Sequence, residues 1–179
     1  FYPHRTCGEG FFAAVACKSP DLGGRMRSPK GRRTLFGQAD KGAVVELGRW
    51  VREPAAMRFV TVGDTFYGWP AAQAEAVRTL SEALPVICSG VAMGQLFKGR
   101  LKPDPALAFF VGLDRAAVPV AEFGPDETLS YLRRAEVRPD ALAEGMNLVC
   151  AEGRALGFAK RIGGRVNNLY PNSLRILKQ

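Results

Sequence analysis

The chain holds one histidine, His4, so a Ser-His-acid or Cys-His nucleophile, or a multi-histidine metal site, would have to be built on that residue. The nearest thiol is Cys7, with His4 and Arg5 close enough in sequence to lower its pKa and activate it. The cysteines, at positions 7, 17, 88 and 150, are at least ten residues apart. Paired zinc-ligand spacings are therefore absent, and a disulfide framework is not expected at this size. A reducing cytoplasm suits such a chain. Carboxylates stand singly or at expected helix starts (Asp40, Asp104, Asp126), where capping accounts for them. Gly8-Glu9-Gly10 is too short for a dinucleotide loop.

What the sequence does concentrate is positive charge. Lys and Arg number 25 against 17 Asp and Glu, a net of +8, and the excess is uneven. Between Arg25 and Arg33 five of nine positions are basic, interleaved with Gly, Ser and Pro, which predicts an irregular basic linker. From Asp104 to Glu152 nine acids face four arginines. Beyond Glu152 the acids stop, and Arg154, Lys160, Arg161, Arg165, Arg175 and Lys178 follow unopposed. Lys98, Arg100 and Lys102 alternate, which puts them on one face of an extended segment. One-signed clusters within folded segments suit a phosphate-facing surface. The candidate nucleic-acid contacts are thus Lys98, Arg100, Lys102, Lys160, Arg161, Arg165, Asn168 and Arg175, with Tyr170 in the acid-free loop as a base-stacking candidate. Trp50 and Trp69 read as core packing.

The elements that must position these residues are short. The chain's 179 residues, 47% apolar and 23% charged, allow one ordinary domain or two small ones, with neither a membrane span nor a signal peptide expected. Gly10 to Lys18 predicts a buried strand, cut off by the linker. Asp40 caps a predicted helix reaching Val51, with Val44, Leu47 and Val51 inward. Arg58 to Tyr67, around Gly63-Asp64, predicts a hairpin. Trp69-Pro70 opens a predicted helix with Val77, Leu80 and Leu84 as its apolar stripe. Val86 to Lys98 predicts strands bent or closely approached at Gly90 and Gly94, and Asp104-Pro105 starts a short helix. Another helix is predicted over Asp126 to Arg134. Met146 to Ala151, Ala155 to Arg161 and Arg165 to Asn168, separated by Glu152-Gly153 and Gly163-Gly164, form a predicted meander, which antiparallel domains of this size often close into a barrel.

Three segments are more specific. Tyr2-Pro3-His4-Arg5-Thr6-Cys7-Gly8-Glu9-Gly10-Phe11-Phe12 resembles the Pro-His-Arg, Gly-Glu-Gly-Phe-Phe segment closing the catalytic domain of Sun-type RNA (cytosine-5) methyltransferases. Leu84-Pro85-Val86 to Gly90, Gly94, Lys98-Gly99-Arg100, Lys102-Pro103 and Ala106-Leu107-Ala108 resemble the accessory region that follows in the bacterial ribosomal members. Tyr131-Leu132-Arg133-Arg134, Leu156-Gly157-Phe158-Ala159-Lys160 and Asn167 to Arg175 are similar to their terminal PUA-type module, where the family reads Tyr-Leu-Arg-Gly, Leu-Gly-Trp-Gly-Lys and Lys-Asn-His-Tyr-Pro-Lys-Gly-Leu-Arg.

The resemblance implies a parent enzyme that methylates carbon 5 of a cytosine in ribosomal RNA, with S-adenosylmethionine as donor and a cysteine that adds to the base. It also implies that the reactive cysteines and the methyl-donor site lie upstream of His4, so that Cys7 is no nucleophile and this chain needs no cofactor. Asn167, Leu169 and Asn172 stand where the family has Lys, His and Lys. The expected fold is α+β: a trailing strand segment (1–18), a basic linker (19–38), a small α/β subdomain (39–115) and a PUA-like antiparallel β-barrel (116–179). The expected partners are ribosomal RNA and the upstream methyltransferase domain, with no membrane. The alternative is a protein-interaction module docking an acidic partner.

Overall fold

The structure is a computed structural model that describes residues 36–86 and 89–177. Residues 1–35, which carry the expected opening strand, Cys7, Cys17 and most of the basic linker, lie outside the described residues, as do Cys88 and Lys178.

The first sheet is an antiparallel row of β1 (Gly37–Gln38), β2 (Met57–Val62), β3 (Thr65–Pro70), β4 (Val91–Phe97) and β5 (Arg100–Pro103), each strand beside its successor. Between β1 and β2 runs α1 (Lys41–Gly48). Asp40 is extended and accepts the Ala43 N–H at 2.9 Å, as its cap position requires. The helix stops at Gly48 rather than reaching Val51. Val51 forms an antiparallel bridge with Leu113, and the Trp50 ring meets Phe158 edge-on at 6.0 Å, so tertiary packing wins the last turn. The inward stripe is Ala43 and Leu47, while Val44 faces outward.

Trp69 and Pro70 do not open a helix. They finish β3, paired with Arg58 and Met57. The indole is almost fully buried, edge-on to Phe36 at 4.7 Å and donating from Nε1 to Ser89 Oγ at 3.1 Å. That packing outweighs the helix preference of Pro70, and α2 (Ala74–Ala83) starts only after a 3-10 turn at Ala71–Gln73. Of the expected stripe Val77 packs against the cluster of Val60, Trp69 and Ala74, whereas Leu80 and Leu84 are more than half exposed, and Ala74 is the buried residue of this helix.

Hairpin β4–β5 turns at Lys98-Gly99, both with φ above zero, as a two-residue type I′ turn demands. Its close approach occurs at Gly94, as the sequence suggests. The backbone there has φ +127, and a Cβ would lie 2.1 Å from the Lys102 carbonyl oxygen. Asp104 then caps α3 (Pro105–Ala108) through the Ala106 N–H, with Pro105 in the first turn.

The second sheet has the order β6 (Val120–Glu122), β7 (Gly145–Ala151), β8 (Arg154–Ile162), β9 (Arg165–Asn168). The last three strands are the predicted meander. Strand β6, for which the sequence predicts no element, pairs in parallel with β7, and the chain crosses between them through α4 (Pro125–Leu132). Asp126 is a first-turn residue of α4 rather than its cap, where its charge still complements the helix dipole. The parallel crossover leaves an open four-stranded sheet among the described residues in place of a closed antiparallel barrel. The α+β class stands.

The second sheet is buried on both faces. Leu148, Cys150 and Phe158 share a core with Leu47, Phe59, Met93 and Leu107 from the first sheet and its helices. On the opposite face Val149 and Ala159 pack with Phe123, Tyr131 and Leu142. Tyr131 is fully buried and donates from its hydroxyl to the Phe158 carbonyl at 3.0 Å. A Cβ on Gly157 would lie 2.4 Å from that hydroxyl, so the side chain is excluded there. Burial, more than the neighbouring Tyr170, pushes the phenol pKa up from its ordinary value.

Candidate nucleic-acid interface

Where the shared core ends, the two sheets diverge around a cleft of about 940 Å³. The first lip is hairpin β4–β5, contributing Phe97, Lys98, Arg100, Leu101 and Lys102. Strand alternation explains the sorting: Leu101 points into the core, while Arg100 and Lys102 on either side of it are exposed. The second lip follows from register. Met146, Lys160 and Asn167 are directly paired across β7, β8 and β9, and all three line the cleft. Arg134, just past α4, completes the lining with Ala135 and Glu136. Five cations therefore face one carboxylate.

The structure thus brings together Lys98, Arg100, Lys102, Lys160 and Asn168 from the sequence-derived set. It does not bring Arg161, Arg165 and Arg175 there. Arg161 is spent inside the domain: Nη1 donates to the Leu142 carbonyl at 2.8 Å, Nε to that of Gly163 at 3.0 Å, and Glu144 lies 3.8 Å away. Arg165 is exposed at the start of β9, and Arg175 is exposed in the tail. Asn168 lines the cleft with its amide already committed, Nδ2 to the Tyr131 carbonyl at 2.8 Å and Oδ1 to the Tyr170 N–H at 2.9 Å. Tyr170 is no open stacking platform. Its ring is packed 5.5 Å from that of Tyr131, as part of the second core.

Three cleft residues escaped the sequence reading. Phe97 is 69% exposed at the hairpin tip, with Lys98 Nζ 5.7 Å from its ring centroid. Asn167, half-buried, makes no side-chain hydrogen bond to a described residue. Arg134 has φ +55, at a helix end where the Ala135 N–H reaches back to the Ser130 carbonyl and its own N–H to that of Tyr131. This is a Schellman ending, whose left-handed position ordinarily takes glycine. Its guanidinium donates to the Tyr170 carbonyl. The signal for Arg134 was available: the second arginine of Arg133-Arg134 stands where the resembled family has glycine.

Among the described residues no group of His, Cys, Asp and Glu could hold a metal, and no helix is long and apolar enough to cross a membrane. Cys150 is fully buried, and that burial raises its thiol pKa, the reverse of what a nucleophile needs.

Residues 118–176 match the family described as the methyltransferase RsmF PUA domain. The match covers the second sheet, α4 and the tail, so this part of the chain is similar to a PUA domain of that description. Strands β1 to β5 lie outside it. No curated protein matches the chain.

Proposed function

We propose that the chain binds RNA in the cleft between its two sheets, as the C-terminal part of a ribosomal RNA 5-methylcytosine methyltransferase, and positions the substrate for a catalytic domain upstream. The observation that carries this reading is the convergence of Lys98, Arg100 and Lys102 with Arg134 and Lys160, from opposite sheets, on one cleft with a single acid. Within a Debye length such a set sums to a positive field along a groove, which suits a polyphosphate backbone better than a single acidic side chain. The match of residues 118–176 to a methyltransferase PUA domain supports the same reading. In this reading the reactive cysteines and S-adenosylmethionine belong to the upstream domain, residues 39–115 form an accessory subdomain, and 116–179 form the PUA unit. The protein works in the cytoplasm, and its partners are ribosomal RNA and its own methyltransferase domain.

The test is the salt dependence of binding to a ribosomal RNA fragment. Each phosphate contact contributes roughly 0.7 to 0.9 to the slope of log affinity against log salt. With the cleft engaged, the slope reaches about three or more and falls by about one for each of Lys102→Gln and Lys160→Gln. A flat response, or tighter binding of an acidic polypeptide than of RNA, overturns the proposal in favour of a protein-docking surface.

A further inference from the structure

Phosphate contacts alone do not require the rest of the cleft. Its floor is apolar, made by Leu101, Met146 and Leu169 where the shared core surfaces. A large aromatic, Phe97, stands 69% exposed on one lip, outside the segment matched by the PUA family. Exposing such a ring stabilises nothing in the fold, since apolar surface contributes only when it is withdrawn from water. On the other lip Asn167 offers an uncommitted amide, with donors and an acceptor, while Asn168 next to it is held through both Nδ2 and Oδ1. At about 940 Å³ the space is at the upper end of the roughly 300 to 1,000 Å³ typical of sites that engulf a small molecule.

An A-form duplex cannot use these features. Its bases are stacked and paired, and it presents sugars and phosphates to a protein. Unstacked bases can: they lay one face on an aromatic ring and turn an edge to an amide, while neighbouring phosphates meet cations. We infer that the cleft takes single-stranded RNA, with a base stacked on Phe97 and its edge read by Asn167, and with Lys98 and Lys160 on the flanking phosphates. Strand β4 and its turn, rather than the PUA domain alone, then supply the residue that tells an unpaired segment from a helix. This inference rests on the RNA-binding reading above.

The experiment compares a short single-stranded oligoribonucleotide with a blunt duplex of the same sequence at one salt concentration, using the whole chain. The single strand is expected to bind about ten-fold tighter or better, and Phe97→Ala to weaken it by roughly 5- to 150-fold while leaving the duplex unchanged. Because Phe97 is exposed, its removal spares the core. Phe97→Trp is expected to retain affinity and to show quenching of the introduced indole by the single strand only. Equal affinity for both RNAs, with Phe97→Ala altering neither by more than about two-fold, overturns stacking and leaves the RNA reading standing. Failure to bind either RNA overturns the RNA reading itself.

Discussion

The two sides of the cleft both carry cations and use them differently. On hairpin β4–β5, Arg100 and Lys102 have no hydrogen bond or ion pair from their side chains to a described residue, and Lys98 is engaged only with the neighbouring Phe97 ring. On the PUA side, Arg161 ties together the Leu142 and Gly163 carbonyls, and Arg134 holds the carbonyl of Tyr170. A guanidinium with planar donors can close loops that an ammonium cannot, and Arg161 and Arg134 are used in that way while Lys160 is left to solvent. A basic stretch in a sequence therefore overstates the charge available to a ligand, by the number of arginines the fold has consumed.

The largest effects should come from the glycines that hold each lip in place. Gly94→Ala puts a methyl 2.1 Å from the Lys102 carbonyl in left-handed backbone, and Gly157→Ala puts one 2.4 Å from the Tyr131 hydroxyl. Each should cost roughly 2 to 4 kcal/mol, read as a drop in denaturant midpoint. Gly94→Ala should displace the first lip and lower RNA affinity even where the protein remains folded. If Gly157→Ala lowers affinity as much as Gly94→Ala at equal stability, the first lip has no special role.

Next in size is a separation of charge from structure. Lys102→Glu with Lys160→Glu should weaken RNA binding by roughly a hundred-fold at low salt and leave thermal stability within about 0.5 kcal/mol, because both side chains are exposed. Arg161→Gln should do the opposite. It removes two hydrogen bonds to carbonyls and should cost about 1 to 2 kcal/mol of stability with an unchanged salt slope. Equal losses of affinity from the two proteins would erase the distinction between free and consumed cations.

These contrasts also mark what the sequence could and could not tell. Local signals translated well. The hairpin around Gly63-Asp64, the caps Asp40 and Asp104, and the three strands of the terminal meander all depend on neighbours in the chain. The misreadings share a nonlocal cause: Trp69-Pro70 became strand because the indole has a pocket, and β6 was passed over because its partner, β7, lies beyond a helix. For the cleft, alternation at Lys98 to Lys102 was legible as a charged face. That it would confront Lys160 follows only from two sheets sharing one core. The internal duties of Arg161 and Tyr170 depend on tertiary partners in the same way.

A smaller, pH-dependent effect concerns the buried face of the PUA sheet. Tyr131 has its phenol pKa raised by burial, so the folded state favours the protonated form. Its contribution is fully present below the ordinary tyrosine value of about 10, and is lost as pH climbs from there toward the raised folded value, because the unfolded chain ionises first. Stability measured through that alkaline window should fall with a slope that Tyr131→Phe removes. The same substitution should cost about 1 kcal/mol at neutral pH, where the Phe158 carbonyl loses the hydroxyl donor and keeps only the Leu169 N–H. A slope that persists in the variant assigns the alkaline loss to another group.

The smallest expected change in stability belongs to the residue that combines both uses of charge. Arg134→Gly relieves a left-handed position, worth about 1 kcal/mol, and gives up a donor to the Tyr170 carbonyl worth about the same. The two should nearly cancel in an unfolding experiment. The cleft, however, loses a cation, so the salt slope of RNA binding should fall by up to one contact while the melting temperature scarcely moves. Arg134→Lys separates the contributions further: it keeps the charge and the backbone strain but not the planar donor geometry, so it should retain most of the salt slope and lose stability relative to both other forms. If Arg134→Gly leaves the slope intact, Arg134 is a capping residue alone and the charge of the cleft rests on four cations rather than five.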